Sequence, residues 1–111
     1  MGLIKLNEQD SHLVKQNETY TLIDNTDLTR LVVSKTILQP NKNTNGHKHP
    51  GKEEVYHFIK GTGYIEVDEK TSDVNAGDIV LIPDGAFHKV YNTSDYQTLQ
   101  FVCIFEGQRN H

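Results

Sequence analysis

The residues best suited to chemistry in this sequence are histidines and glutamates that lie close together in two places. His47 and His49 are separated by one residue, and two adjacent carboxylates, Glu53 and Glu54, follow a proline–glycine turn. Side chains alternate along an extended strand, so we expect both imidazoles on one face with a carboxylate from the next strand beside them. His88 lies much further along and must arrive from a separate strand. The pattern predicts a metal site of three imidazoles and one carboxylate.

This predicted ligand set has a definite charge and leaves coordination positions open. Three neutral imidazoles and one carboxylate give a divalent ion a net charge of about +1, and a first-row metal that prefers more ligands keeps positions for water or substrate. A closed tetrahedral zinc site is the competing interpretation. Structural zinc is usually bound by cysteine, however, and the chain contains only Cys103. The set therefore favours a catalytic metal over a purely structural one.

The elements that must position these side chains have the pattern of β-strands. No apolar period typical of helices persists along the chain, whereas short runs rich in Val and Ile alternate with Gly, Pro, Asn and Asp. Many short strands at this spacing are typical of an all-β sandwich or barrel. The predicted strands are 19–23, 29–38, 45–49, 53–60, 63–68, 71–74, 79–82, 86–92 and 98–105.

Size and composition indicate one cytoplasmic domain. The 111 residues suffice for one hydrophobic core, with a predicted barrel at 19–111 and an arm or edge strand at 1–18. A net charge of -4 and the lack of a dense run of Lys or Arg argue against nucleic acid as a partner. We expect no membrane partner, because the N-terminus lacks an apolar stretch, and the single cysteine agrees with a reducing compartment.

Two groups of residues resemble the paired motifs of the cupin superfamily. The first motif has the form G-x5-H-x-H-x3–4-E-x6-G, and the chain matches it from His47 to Gly61. The second motif, G-x5-P-x-G-x2-H-x3-N, is matched at every fixed position from Gly77 to Asn92. One position departs, because Asn41 stands where the first motif opens with glycine. Asparagine is the next best residue for a backbone with positive φ, so the turn can survive.

The resemblance implies a fold, a cofactor and a partner. The fold is a double-stranded β-helix, or jelly-roll β-barrel, that holds one divalent transition metal inside one end, and Mn, Fe, Ni, Co, Cu and Zn all suit the ligands. The implied ligands are His47, His49, Glu54 and His88. The spacing to the following glycine selects Glu54 over Glu53. Small cupins commonly pair through their sheets, so we expect a homodimer.

Strand alternation then assigns further side chains to the barrel interior. If Glu54 points inward, Tyr56 and Phe58 point inward as well, and His57 faces the other way. Tyr56 is the candidate catalytic acid or base, because a phenol near a dication loses its proton more easily; filling the core is the alternative role. The last strand adds the predicted pocket residues Phe101, Cys103 and Phe105.

The expected pocket is aromatic and apolar, with no Lys or Arg assigned to it. Such a pocket favours a small metabolite with a carbonyl, enol or carboxylate oxygen over a phosphorylated one. Three functions fit: a redox-neutral isomerase, epimerase or lyase, an iron or manganese dioxygenase, and a non-catalytic metal- or ligand-binding module. We rank the redox-neutral enzyme above the dioxygenase, because Tyr56 supplies a candidate acid or base and nothing in the chain requires oxygen chemistry.

Overall fold

The computed structural model describes residues 2–7 and 11–107, whose regular structure is entirely β-sheet. The strands are β1 (His12–Gln16), β2 (Tyr20–Asn25), β3 (Leu31–Leu38), β4 (Glu54–Lys60), β5 (Thr62–Val67), β6 (Lys70–Asn75), β7 (Ile79–Ile82), β8 (His88–Asn92) and β9 (Leu99–Glu106). The all-β prediction is confirmed. Within the described ranges, no helix is long and apolar enough to cross a membrane.

The strands form two antiparallel sheets that share one core. The larger sheet has the strand order β1-β2-β3-β9-β4-β7, and the smaller has the order β6-β5-β8. Apolar side chains from both sheets pack into a single buried cluster. Its least exposed members are Leu38, Phe58, Leu99 and Phe101 from the larger sheet and Ile65, Val74 and Val90 from the smaller. Every second residue of β9 is buried, so the pleat of this central strand separates interior from exterior.

Strand β1 lies within the segment that was expected to be an arm or an edge strand. It occupies the edge of the larger sheet and pairs with β2. The register shifts between Leu13 and Lys15, which leaves Lys15 opposite Leu22. Residues 1 and 8–10 of the predicted arm and residues 108–111 of the predicted barrel lie outside the described residues.

The predicted strand at 45–49 is wrong, whereas the other eight predicted strands are present with ends that differ by no more than two residues. The segment 43–47 forms isolated bridges with β8 rather than a ladder, and these bridges join Asn43 to Tyr91 and His47 to His88. Between the bridges the segment advances from 43 to 47 while β8 runs back only from 91 to 88. One extra residue on the segment therefore prevents a regular ladder.

Asn41 forms the turn at the position where the first motif normally has glycine. Its φ is 60°, in the left-handed region, as the sequence predicted. Its backbone N–H donates to the carbonyl of Ser94 at 3.0 Å, and its side-chain amide donates to Oδ1 of Asp95 at 3.1 Å. The loop that leads to the histidine pair is thereby attached to the loop before β9.

The side chain of Asn92 connects the ends of several strands. Its amide nitrogen donates to the carbonyl oxygens of Leu38, Gln39 and Gln97 at distances of 3.1, 3.1 and 2.8 Å. Its Oδ1 accepts from the backbone N–H of Ser94 at 3.0 Å. The side chain is buried, so these bonds satisfy polar groups that water does not reach.

Replacing Asn92 with alanine should destabilise the protein by about 2 kcal/mol, because buried carbonyl oxygens lose their donor. Asn75→Ala, which removes an exposed side chain at the end of β6, is the matched control and should cost no more than about 0.5 kcal/mol. Urea unfolding of both variants measures the difference. Equal losses in the two variants would contradict the assigned role of Asn92.

Candidate metal centre

Backbone hydrogen bonds bring the histidine pair to the start of β8. The N–H of His47 donates to the carbonyl of His88 at 3.1 Å, and the N–H of His88 donates back at 2.9 Å. A second tie joins the following turn to the loop before β8, where the N–H of Gly51 donates to Oδ1 of Asp84 at 2.7 Å. Two distant parts of the chain are therefore fixed side by side by hydrogen bonds that do not involve the histidine side chains.

Gly46 permits this approach because an aromatic ring lies directly against its backbone. A Cβ atom added to Gly46 would lie 2.1 Å from Cζ of Phe87, much closer than any real contact allows. Phe87 directly precedes His88, and Gly46 directly precedes His47. The ring thus packs in a space that only glycine leaves open, immediately beside the bridge between the two histidines.

Three of the four predicted ligands form one group. His49, Glu54 and His88 each offer a ligand atom, and these atoms all lie within 4.8 Å of one another. Glu54 and His88 are buried, and His49 is half-buried. The rival carboxylate, Glu53, is exposed. Alternation at the start of β4 therefore directs Glu54 toward the group and Glu53 away from it.

The backbone holds His88 in one tautomer. Nδ1 of His88 lies 3.1 Å from the carbonyl oxygen of Ala86, which can only accept, so Nδ1 carries the hydrogen. Nε2 of His88 lies 3.0 Å from Oε2 of Glu54. In a neutral imidazole this Nε2 is also an acceptor, and two acceptors so close repel each other unless a cation lies beside them. The pair requires either a proton between the two atoms or a bound metal ion.

The spacing of this pair suits a first-row metal. Nitrogen and oxygen donors bind such ions at about 2.1 Å, so two neighbouring donors at a right angle are about 3 Å apart. The measured distance between Nε2 of His88 and Oε2 of Glu54 is 3.0 Å. Imidazole and carboxylate donors are also the ones that these metals accept. The grouped residues could therefore hold a divalent transition metal.

The same contacts shift the titration of His88. Burial lowers the pKa of His88, but the hydrogen bond to Glu54, the bond to the carbonyl of Ala86 and the charge of Glu54 raise it. The net pKa of His88 lies above its ordinary value of 6.5. A proton thus takes the place of the cation at this site in the metal-free protein at low pH.

His47 lies beside this group rather than within it. Its ring centroid is 5.8 Å from that of His49, and the two rings are close to parallel at 22°. The side chain is exposed and also lines the adjoining cavity. His47 is therefore at the rim of the cavity, next to the three grouped residues.

A cavity of about 250 Å³, which we call the metal cavity, opens beside the grouped residues. Phe101, Cys103 and Phe105 line it, as does Tyr56. The ring of Tyr56 stacks on Phe101, with centroids 5.3 Å apart and an angle of 17°. It also meets the ring of His88 edge-on, with centroids 5.5 Å apart and an angle of 80°. These contacts hold the tyrosine ring against one of the grouped residues.

Phe58 differs from its predicted place in the pocket. Its side chain is fully buried in the core, with its ring centroid 5.2 Å from that of Phe101 and 6.5 Å from that of Tyr56. It does not line the metal cavity. Strand alternation correctly directs Phe58 inward, but the neighbouring rings cover it. His57 is exposed on the opposite face of β4, as predicted.

The wall that β1, β2 and β3 contribute to the metal cavity is partly polar, contrary to the expectation of an apolar pocket. Lys15 lines the cavity, although the sequence assigned no Lys or Arg to it. Ser34 and Thr36 line it as well. These two hydroxyl residues alternate on β3 within an otherwise apolar inward face. This alternation could have predicted a polar wall from the sequence. The sequence of β1 contains no pattern that predicts its position beside the cavity.

The family of the chain follows from comparison with known proteins. Residues 34–105 match the family model for the cupin domain. The chain belongs to the cupin family. An RmlC-like cupin from Shewanella frigidimarina superposes with a TM-score of 0.81 at 16% identity, covering 96% of this chain and 92% of that one. The predicted jelly-roll fold is thereby confirmed.

Two curated relatives match part of this cupin. An uncharacterised protein of Methanocaldococcus jannaschii is 31% identical over 74 residues, which cover 67% of this chain and 53% of the relative. An oxalate-binding protein of Thermotoga maritima is 30% identical over 67 residues, which cover 60% of this chain and 54% of the relative. The matched parts span about half the length of these relatives.

In the metal-free protein, Glu54→Gln should lower the pKa of His88, because the carboxylate charge and a charge-assisted hydrogen bond are lost. Glu53→Gln, which neutralises the exposed neighbour, should leave this pKa unchanged. Titration of the imidazole C–H signals by NMR measures both effects. A pKa of His88 that does not move in Glu54→Gln would contradict the contact.

The raised pKa of His88 also predicts how the stability of the metal-free protein depends on pH. Because the folded-state pKa is raised, the Glu54–His88 pair should stabilise the metal-free fold fully below about pH 6.5, and this contribution should disappear as pH rises through the raised pKa.

Proposed function

We propose that this cupin binds one divalent transition metal and catalyses redox-neutral proton transfer on a small metabolite that has an oxygen donor. The proposed ligands are His47, His49, Glu54 and His88. The observation that carries the proposal is the buried pair of acceptors 3.0 Å apart beside a cavity of about 250 Å³. When bound there, a divalent metal supplies Lewis acidity that polarises a carbonyl group. The reaction class would be isomerase, epimerase or lyase.

The residues around the ligands prepare the site for a cation. The carbonyl of Ala86 keeps the hydrogen of His88 on Nδ1, which leaves Nε2 available as a donor to metal. The carboxylate of Glu54 offsets part of the positive charge in a buried location. His47, which is exposed at the rim, completes the set when its side chain turns toward the other three.

Tyr56 is the proposed acid or base. It is half-buried and lines the metal cavity, so it borders both the ligands and the space for a substrate. Its stacking on Phe101 and edge contact with His88 restrict the ring to one orientation. A fixed phenol close to a dication has a lowered pKa and can exchange a proton with a molecule in the cavity.

A non-catalytic binding module is the second candidate function. It is favoured by the relative from Thermotoga maritima, which is named an oxalate-binding protein. A small carboxylate that binds the metal and is neither protonated nor cleaved would use the same cavity. The two candidates share the metal site and differ only in whether Tyr56 transfers a proton.

The metal site is tested with two matched pairs of variants. Glu54→Gln and His88→Ala should weaken Mn²⁺ binding by more than about 100-fold, which exceeds the loss expected for a supporting residue. Glu53→Gln and His57→Ala change exposed residues of the same types and should bind Mn²⁺ as the wild type does. Titration calorimetry measures the affinities, and circular dichroism checks that each variant is folded. Equal Mn²⁺ affinity within either pair would refute the assigned ligands.

Catalysis is tested with the Mn²⁺-loaded protein and a panel of small 2-oxo and 3-oxo acids in D₂O. Deuterium incorporation next to the carbonyl, followed by NMR, should occur in the wild type and fall by about 100-fold or more in Tyr56→Phe. Mn²⁺ affinity should stay unchanged in this variant, because the phenol is not a ligand. No incorporation by the wild type would favour the binding module, and consumption of O₂ with Fe²⁺ would favour a dioxygenase.

A further inference from the structure

A second cavity, of about 240 Å³, adjoins the metal cavity. We call it the lysine cavity, because Lys15 and Lys42 line it. The two cavities share the lining residues Lys15, Tyr20, Thr44 and Asn45. The remaining lining comes from the turn between β1 and β2 and from the irregular loop before the histidine pair. The two cavities therefore meet at these four residues, and we call the neighbouring cavities together the cleft.

The charge that lines the lysine cavity is opposite in sign to that of the whole chain. The chain has a net charge of -4, yet the described lining of this cavity contains two lysines and no Asp or Glu. The metal cavity adds Glu54 as its carboxylate, and Asp95 lies beyond the lining, where it accepts a hydrogen bond from Asn41. Within residues 2–7 and 11–107, neither Lys15 nor Lys42 forms a salt bridge. The cleft therefore favours an anionic ligand.

Lys15 lies where the two cavities meet. Its Nζ is 5.8 Å from the centroid of the Tyr20 ring, within the range of a cation–π contact. Tyr20 lines both cavities, so this contact holds the ammonium group over the cleft. The surrounding side chains are largely asparagines and threonines, whose amide and hydroxyl groups can donate further hydrogen bonds to anionic oxygens.

We propose that the lysine cavity is a subsite for the distal carboxylate of a small dicarboxylic acid whose other end binds at the metal centre. This inference rests on the proposed function, because the metal offsets the charge of Glu54 at the near end of the cleft. A distal carboxylate accepts hydrogen bonds from Lys15 and Lys42 and also pairs with their charge, whereas a neutral group gains no ion pair.

The subsite is tested by titrating the Mn²⁺-loaded protein with glutarate and with pentanoate. These acids have the same number of carbons and differ only in the terminal carboxylate. Wild type should bind glutarate more tightly than pentanoate. Lys15→Gln should weaken glutarate binding by about tenfold and leave pentanoate binding within about twofold. Lys70→Gln, which changes an exposed lysine on β6, is the matched control and should leave both affinities unchanged.

Other outcomes overturn the subsite. Equal losses for the two acids in Lys15→Gln, or no preference for glutarate in the wild type, would show that Lys15 does not recognise a distal carboxylate. Mn²⁺ affinity is measured first, so that a failure of the metal site is recognised separately. If the wild type does not bind Mn²⁺, the proposed function is refuted and the metal-free protein is titrated instead. Glutarate binding that depends on Lys15 would then support the subsite, and its absence would overturn it.

Discussion

Two buried acceptors, Nε2 of His88 and Oε2 of Glu54, lie 3.0 Å apart, and they attract each other only when a cation is shared between them. The surrounding structure determines that separation. The carbonyl of Ala86 fixes the tautomer, paired backbone hydrogen bonds hold His47 beside His88, and Gly46 leaves room for the ring that covers this bridge. Bringing two such groups together costs free energy, which the closed core and its satisfied hydrogen bonds offset.

The pairing of β4 and β8 within their sheets stabilises the close approach of Glu54 and His88. Glu54 begins β4, which lies between β9 and β7 and is therefore paired along both edges. His88 begins β8, which pairs with β5 in the opposite sheet. Glu54 and His88 thus come from different layers, and their separation is set by the packing of the sheets on each other. A change in the core that moves one sheet relative to the other would alter this separation without replacing either residue.

The sequence predicted much of the fold and the grouped side chains because both depend on local rules. Alternation along β4 distinguishes Glu54 from Glu53, and the spacing of turn residues locates eight of the nine expected strands. Alternation gives direction but not depth, so it could not show that Phe58 is covered by other rings. The irregular pairing at 45–49 arises because the loop has one residue more than β8 between the two bridges. No local sequence pattern contains this difference in length. Lys15 reaches the cavity because β1 pairs with β2, a relation that the sequence of β1 alone does not reveal.

The cleft has two walls of different origin, and this division affects how the protein can change over evolutionary time. Glu54, His88 and the aromatic rings lie on β4, β8 and β9, which are built into the core. The other wall comes from an edge strand and an irregular loop, where most side chains are exposed. Substitutions there cost little stability. Descendants of this chain can therefore acquire new ligand preferences through mutations at the outer wall while inheriting the inner wall intact.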